Sequence, residues 1–237
     1  MQQRTEKWYQ QSYKTNGFHA QRKYPNEELC RFMGRNFFKI SVNQRKDIRI
    51  LETGCGSGGN IWMIAKEGFD AYGIDLSAEA ITLAEQMLKL YGVQCNLSVQ
   101  NMCTMNFPDN YFDSVVDIFS SYCLNKEGGA FYLKEVKRVL KPGGVFFSYF
   151  PSKASDTFTN KGDATFVDDD TISSVLRADS PYYGNNYNVR FLHPREYEQQ
   201  LTSLDFSIAH SESLNKTYNN RNENFNFVVI EAKKGAI

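Results

Sequence analysis

The chain predicts an α/β domain built on a doubly wound, mostly parallel sheet with helices on both faces. Three observations carry this reading. From about residue 48 onward, short apolar runs alternate with helix-period segments, the pattern of strand–helix units. A glycine-rich turn, Gly54-Cys55-Gly56-Ser57-Gly58-Gly59, stands between the first such run and the first helical segment. An acid, Asp75, ends the second run, Ala71-Tyr72-Gly73-Ile74-Asp75.

In chain order, residues 48–53 read as the first strand and residues 60–67 as the first helix, stopped by Gly68. Residues 71–75 form the second strand. Ser77 is placed to cap the next helix. Its apolar face runs Ala80, Ile81, Ala84, Met87, Leu88 and Tyr91, and Gly92 ends it. Residues 94–99 and 112–117 are further strands. Residues 130–140 form a helix with Leu133, Val136, Val139 and Leu140 inward, and 144–150 an apolar strand. Residues 206–210 and 225–231 are late strands.

Two segments lie outside this regular core. Residues 1–45 are expected as an N-terminal helical cap ahead of a domain spanning 46–237. Within the cap, Asn26 can start a helix at about Glu27, with Leu29, Phe32, Met33 and Phe37 on one face. Residues 151–190, rich in Asp, Ser, Asn and Tyr, form an insert at the carboxyl end of a strand. Open parallel sheets bind ligands at that edge, so the insert is placed to line a substrate pocket. Asp168-Asp169-Asp170 precede a helical run at 171–177 and read as caps and dipole partners rather than a metal site.

At 237 residues the chain is long enough for one well-buried domain. Lys plus Arg and Asp plus Glu each number 27, and the pI is about 6.8. That balance supplies no bulk attraction to nucleic acid or to an anionic membrane. The five cysteines are scattered without a C-x-x-C pair, so neither zinc nor a disulfide framework is indicated. Reduced thiols in a cytoplasmic protein are the simpler account, with Cys55 as a packed thiol. The polar first residues lack an apolar signal core, and no run reaches the ~20 apolar residues of a membrane helix.

The glycine turn fits two nucleoside cofactors. Gly54, Gly56 and Gly59 satisfy the dinucleotide pattern, while Gly54, Gly56 and Gly58 satisfy G-x-G-x-G with Glu52 two residues upstream. The second form resembles the first motif of class I S-adenosylmethionine-dependent methyltransferases. Three further stretches are similar to that family in order and spacing: 106–113 before the fourth strand, 136–144 around the fourth helix and the turn Lys141-Pro142-Gly143-Gly144, and 192–201 in the late helix. The resemblance covers roughly residues 48 to 232. It implies a Rossmann-like, seven-stranded sheet with an antiparallel closing strand. It also implies methyl transfer from S-adenosylmethionine to an oxygen or nitrogen of a small-molecule acceptor, such as a metabolite or sugar. A nicotinamide-dependent oxidoreductase is the rival reading, and a non-catalytic methyltransferase-like subunit the third.

On this resemblance Gly54, Gly56 and Gly58 offer bare backbone to the cofactor's amino acid end, and Glu52 offers negative charge to its cations. Asp75 suits the ribose hydroxyls and Leu76 the adenine. Asn101 and Met102 stand where the family often has Asp and a small or apolar residue; the Asn oxygen can still accept the adenine amino group. Asp117 and Ile118 would close the fourth strand beside the methyl group. For a base, His193 is the candidate by its ordinary pKa, although Pro194 and Glu196 also fit it to a helix start. Arg190 could orient an anionic acceptor, and Tyr9, Tyr13 and His19 could reach the same pocket from the N-terminal segment.

Overall fold

The computed structural model describes residues 2–236. Helix α1 spans Gln2–Asn16 and runs into a 3-10 turn at Gly17–Ala20. Helices α2 (Glu27–Asn36) and α3 (Val42–Arg45) precede β1 (Arg49–Thr53). Next come α4 (Ile61–Lys66), β2 (Asp70–Asp75), α5 (Ala78–Tyr91), β3 (Asn96–Val99) and β4 (Phe112–Ile118). After a 3-10 turn at Ser121–Cys123 the chain forms α6 (Lys126–Val139) and β5 (Leu140–Pro151). The insert holds α7 (Asp156–Thr159), β6 (Phe166–Asp168), β7 (Thr171–Ile172) and β8 (Val189–Arg190). Helix α8 (Pro194–Ser203), β9 (Phe206–Tyr218) and β10 (Glu223–Lys234) complete the fold.

Seven strands form one sheet in the order β3-β2-β1-β4-β5-β10-β9. The first five are parallel, and β10 enters antiparallel against β5, Val228 opposite Phe150. The expected antiparallel closing strand is therefore present, paired in turn with β9 as a long hairpin. Strands β1 and β4 are buried along nearly their whole length because both faces are covered.

The caps follow the sequence chemistry. The Ser77 hydroxyl accepts from the Ala80 amide at 3.2 Å, and Gly92 closes α5 in the left-handed conformation that glycine adopts without a Cβ clash. Asn125 caps α6 by accepting from the Gly128 amide, so this helix starts four residues before the expected position.

Two expectations change. The 1–45 segment is not a uniform cap. Leu29, Phe32 and Met33 of α2 are fully buried, and Phe32 stacks on Phe147 of β5 at 4.6 Å, so α2 belongs to the layer covering the sheet. Helix α1 and the stretch after it, as far as Asn26, lie at the ligand edge. The 171–177 run is not a helix. Thr171 and Ile172 pair as β7 with β6 and β8, and the adjoining Asp168 turns back to accept from the Lys126 amide at 3.0 Å. The acid thus serves the start of α6, across the fold, rather than a helix of its own.

Arg190 of β8 is buried at 2% exposure, above the Phe150 ring. A Cβ on Gly129 of α6 would overlap its guanidinium. We therefore expect Gly129→Ala to destabilise the protein by about 1–3 kcal/mol, the range of overpacking, despite alanine's better helix propensity. Urea denaturation measures this, and a stabilised variant would show that Arg190 has room to move.

Candidate active site

The carboxyl ends of β1, β2, β3 and β4 meet at one edge of the sheet, and the strand order reverses between β1 and β4. That switch point is where open α/β sheets leave a crevice. The backbone closes the crevice floor. Ser120 donates its hydroxyl to the Thr53 carbonyl at 2.6 Å, and a Cβ on Gly54 (φ +67°) would strike Ser120. Gly54 thus needs glycine both for its conformation and for the approach of the β4 loop.

Two clefts open from this floor. The first, about 740 Å3, takes residues from the ends of four strands: Gly54, Asp75 and Leu76, Asn101 and Met102, and Phe119. Its outer wall is Tyr9 and Tyr13 of α1 together with Gln21. The second, about 1230 Å3, runs from Glu52, Gly54 and Asn60 out to Tyr149, Tyr182, Tyr218 and Phe227. Gly54, Phe119, Tyr9 and Gln21 line both clefts, so the two share one wall.

Asp75 sits where the glycine turn folds back. Its carboxylate accepts from the Gly56 amide and from the Ser77 amide, each at 2.9 Å. Burial pushes its pKa up, and these backbone donors pull it back. Each oxygen carries further acceptor capacity on the cleft side. The Gly56 position is itself tight. A Cβ there would run into the Gln21 side chain and the Tyr13 hydroxyl. Gly58 has a different job from the expected one. A Cβ at Gly58 would press on Ala84 of α5, so this glycine serves turn and helix packing rather than a cleft surface.

Glu52 is buried at 1% exposure beside the turn. Its Oε1 accepts from Asn60 Nδ2 at 2.7 Å, and its Oε2 has no partner among the described residues. Burial raises its pKa to about 8, with the Asn60 bond acting in the opposite direction. A buried, half-satisfied carboxyl is costly unless a donor or cation reaches it.

Tyr9 joins the clefts to the insert. Its hydroxyl lies 3.0 Å from Tyr122 and 2.9 Å from Tyr187, and those two hydroxyls are 2.7 Å apart. The three phenols tie α1, the β4 loop and the insert together at the shared wall.

The structure brings Glu52, Gly54, Asp75, Leu76, Asn101, Met102, Ile118, Tyr9 and Tyr13 to the clefts. Four expectations are corrected. His193 is exposed at the start of α8 and lines neither cleft. It precedes Pro194 in an extended conformation, as a helix entrance does. His19 is exposed on the 3-10 turn, also away from both clefts. Arg190 points into the interior beneath Gly129 instead of toward an acceptor. Asp117 is engaged as a cap: it accepts from the amides of Ser120 and Ser121 at 3.2 and 3.1 Å and from the Ser121 hydroxyl, while the Ser120 hydroxyl lies between it and the Thr53 carbonyl. Sequence reasoning missed Arg22, Phe119, Tyr122, Tyr149, Tyr182, Lys216, Tyr218 and Phe227, which reach the second cleft from separate elements. Phe119 alone carried a signal, as the residue directly after a strand end at the ligand edge.

Comparison with known proteins agrees with this geometry. Residues 50–144 match the family described as methyltransferase domain. A cycloartenol-C-24-methyltransferase of Arabidopsis thaliana is 31% identical over 137 residues, covering 56% of this chain and 40% of that protein. A fatty-acid O-methyltransferase of Mycolicibacterium smegmatis is 35% identical over 101 residues, 41% of this chain and 35% of the other. The chain thus matches less than half the length of these curated relatives. Among solved structures, an S-adenosylmethionine-dependent methyltransferase of Methanosarcina mazei superposes with a TM-score of 0.65 at 23% identity. That match covers 80% of this chain and 93% of the other. Magnesium protoporphyrin IX methyltransferase of Synechocystis PCC 6803, solved with bound S-adenosylhomocysteine, also gives 0.65, at 13% identity and 98% coverage of both chains. These two show the shared fold. The antiparallel β10 beside β5 departs from the dinucleotide-binding order, in which the sheet continues parallel, so the nicotinamide reading loses its support. By its domain match, sheet order and glycine turn, the chain carries a methyltransferase domain on the fold of the class I S-adenosylmethionine-dependent methyltransferases.

Proposed function

We propose that the chain transfers a methyl group from S-adenosylmethionine to an oxygen or nitrogen of a small molecule held in the second cleft. The observation that carries this is the shared wall: a cofactor cleft and a larger, aromatic cleft meet at Gly54 and Phe119. The residues fit the cofactor. Asp75 would take the ribose hydroxyls, and Leu76 and Met102 would flank the adenine. The unpartnered Glu52 oxygen would face the cationic amino acid end. When bound, the cofactor supplies a methyl carbon on a sulfonium leaving group. The chain's own contribution is alignment, worth roughly 7–11 kcal/mol when reacting atoms are well held, together with exclusion of water by α1. Tyrosine hydroxyls and the Asn26 and Asn60 amides line the acceptor cleft, which suits a heteroatom nucleophile better than a hydrocarbon one.

Among the described residues no histidine lines either cleft. His193→Ala is therefore expected to leave turnover within about twofold of native, a change of under ~0.5 kcal/mol. A tenfold loss in a folded variant would restore it as a base. The wider proposal is tested by incubating the chain with methyl-labelled S-adenosylmethionine and a metabolite extract. Label should pass to a small molecule. Cofactor binding without transfer to any acceptor would favour the non-catalytic reading, and no cofactor binding would defeat both.

A further inference from the structure

We infer that the acceptor is a small planar anion, a conjugated or aromatic ring bearing a carboxylate. The inference rests on the methyltransferase reading and extends it to the substrate class.

Charge is the first argument. Arg22 and Lys216 both line the second cleft and both are exposed there. Neither forms an ion pair among the described residues. Glu27 and Glu28, outside the cleft lining, share the single Arg31 guanidinium at 2.7 and 3.7 Å, and Lys216 acts on Glu27 only at longer range. Glu52, deep in the same cleft, is kept protonated by burial up to about 8 in the ligand-free protein and faces the cofactor's own cation once that is bound. The cleft therefore presents two cations that form no direct ion pair among the described residues. Arg22 also stands centrally: burial pushes the phenols of Tyr149, Tyr182 and Tyr218 up, and its charge pulls each back.

Shape is the second argument. Phe119, Tyr149 and Phe227 pack on one another with ring centroids 4.4, 5.4 and 5.1 Å apart, forming a floor fixed by its own contacts. The Arg22 guanidinium lies 5.4 Å from the Phe119 centroid, so charge and ring surface adjoin. Rings of this kind favour offset and edge contacts with another ring, and a guanidinium grips a carboxylate through paired N–H donors. A ring-bearing carboxylate satisfies both surfaces at once. A neutral ring leaves the cations unused, and a cationic amine is repelled.

The test uses the whole chain saturated with S-adenosylhomocysteine. Its binding is measured first, since failure there would overturn the methyltransferase reading itself. The probes are 4-hydroxybenzoate, 4-hydroxycinnamate, the methyl ester of the first and 4-hydroxybenzylamine, titrated by ligand-observed NMR. At least one acid should bind about tenfold or more tightly than the ester and the amine. Lys216→Gln, an exposed change on β9, should reduce that preference several-fold with S-adenosylhomocysteine affinity unchanged. Lys216→Arg should keep it. Three results each overturn the inference: no acid bound, an ester or amine bound as tightly, or full acid preference in the Arg22→Gln/Lys216→Gln double variant.

Discussion

Replacing Asp75 with alanine is expected to weaken S-adenosylhomocysteine binding by about 10²–10⁴-fold. Each hydrogen bond to an ionised carboxylate contributes roughly 1.5–3 kcal/mol, and the ribose offers two hydroxyls to one acid. The side chain also holds the Gly56 and Ser77 amides at 2.9 Å, so its removal loosens the turn as well as the ligand. Asp75→Asn separates the two effects. It keeps one acceptor oxygen and nearly the same shape, and should fall between native and alanine. Isothermal titration calorimetry gives the affinities, and thermal unfolding shows whether the alanine variant keeps its fold. An alanine variant that binds within about threefold of native would remove Asp75 from the ribose site, whatever the family predicts.

That this residue could be chosen from sequence reflects how locally its role is encoded. A strand, a glycine turn and an acid at the end of the next strand lie within 26 residues, 50–75, and the backbone alone brings them together. Ser77, Gly92 and Asn26 were legible for the same reason, since a cap acts on amides a few residues away. The acceptor side was not. Arg22, Tyr149, Tyr182, Lys216 and Phe227 come from five separate parts of the chain and meet only after the sheet forms. Single residues also misled where two roles share one residue type. Asp117 at a strand end looks like a ligand contact until Ser120 and Ser121 fill its oxygens. His193 looks like a base until its side chain proves to face solvent. The β9–β10 hairpin was underestimated because β9 lies at the sheet edge with only Phe206 buried, so most of its residues are polar.

The second large effect concerns Glu52, and its sign can be worked out. In the ligand-free protein burial holds its pKa at about 8, against an ordinary 4.5. Between these values the folded state keeps a proton that the unfolded state gives up. Stability must then fall as pH rises from about 4.5 to about 8 and level off above, by on the order of a few kcal/mol. Glu52→Gln should remove that fall, which urea denaturation at pH 5 and pH 8 would detect. A cationic ligand reverses the preference, because positive charge beside the orphaned Oε2 favours the carboxylate. Binding S-adenosylmethionine below pH 8 should therefore release a proton, and affinity should rise with pH by up to about tenfold per unit before reaching a plateau. Calorimetry in buffers of different ionisation enthalpy counts the proton directly. Glu52→Gln should bind more weakly at pH 8 and lose both the proton release and the pH slope. If the slope persists in that variant, another group carries the linkage and Glu52 is a packing residue. If it vanishes, the cost of burying this carboxyl in the empty protein is explained, because it is offset when the cation arrives.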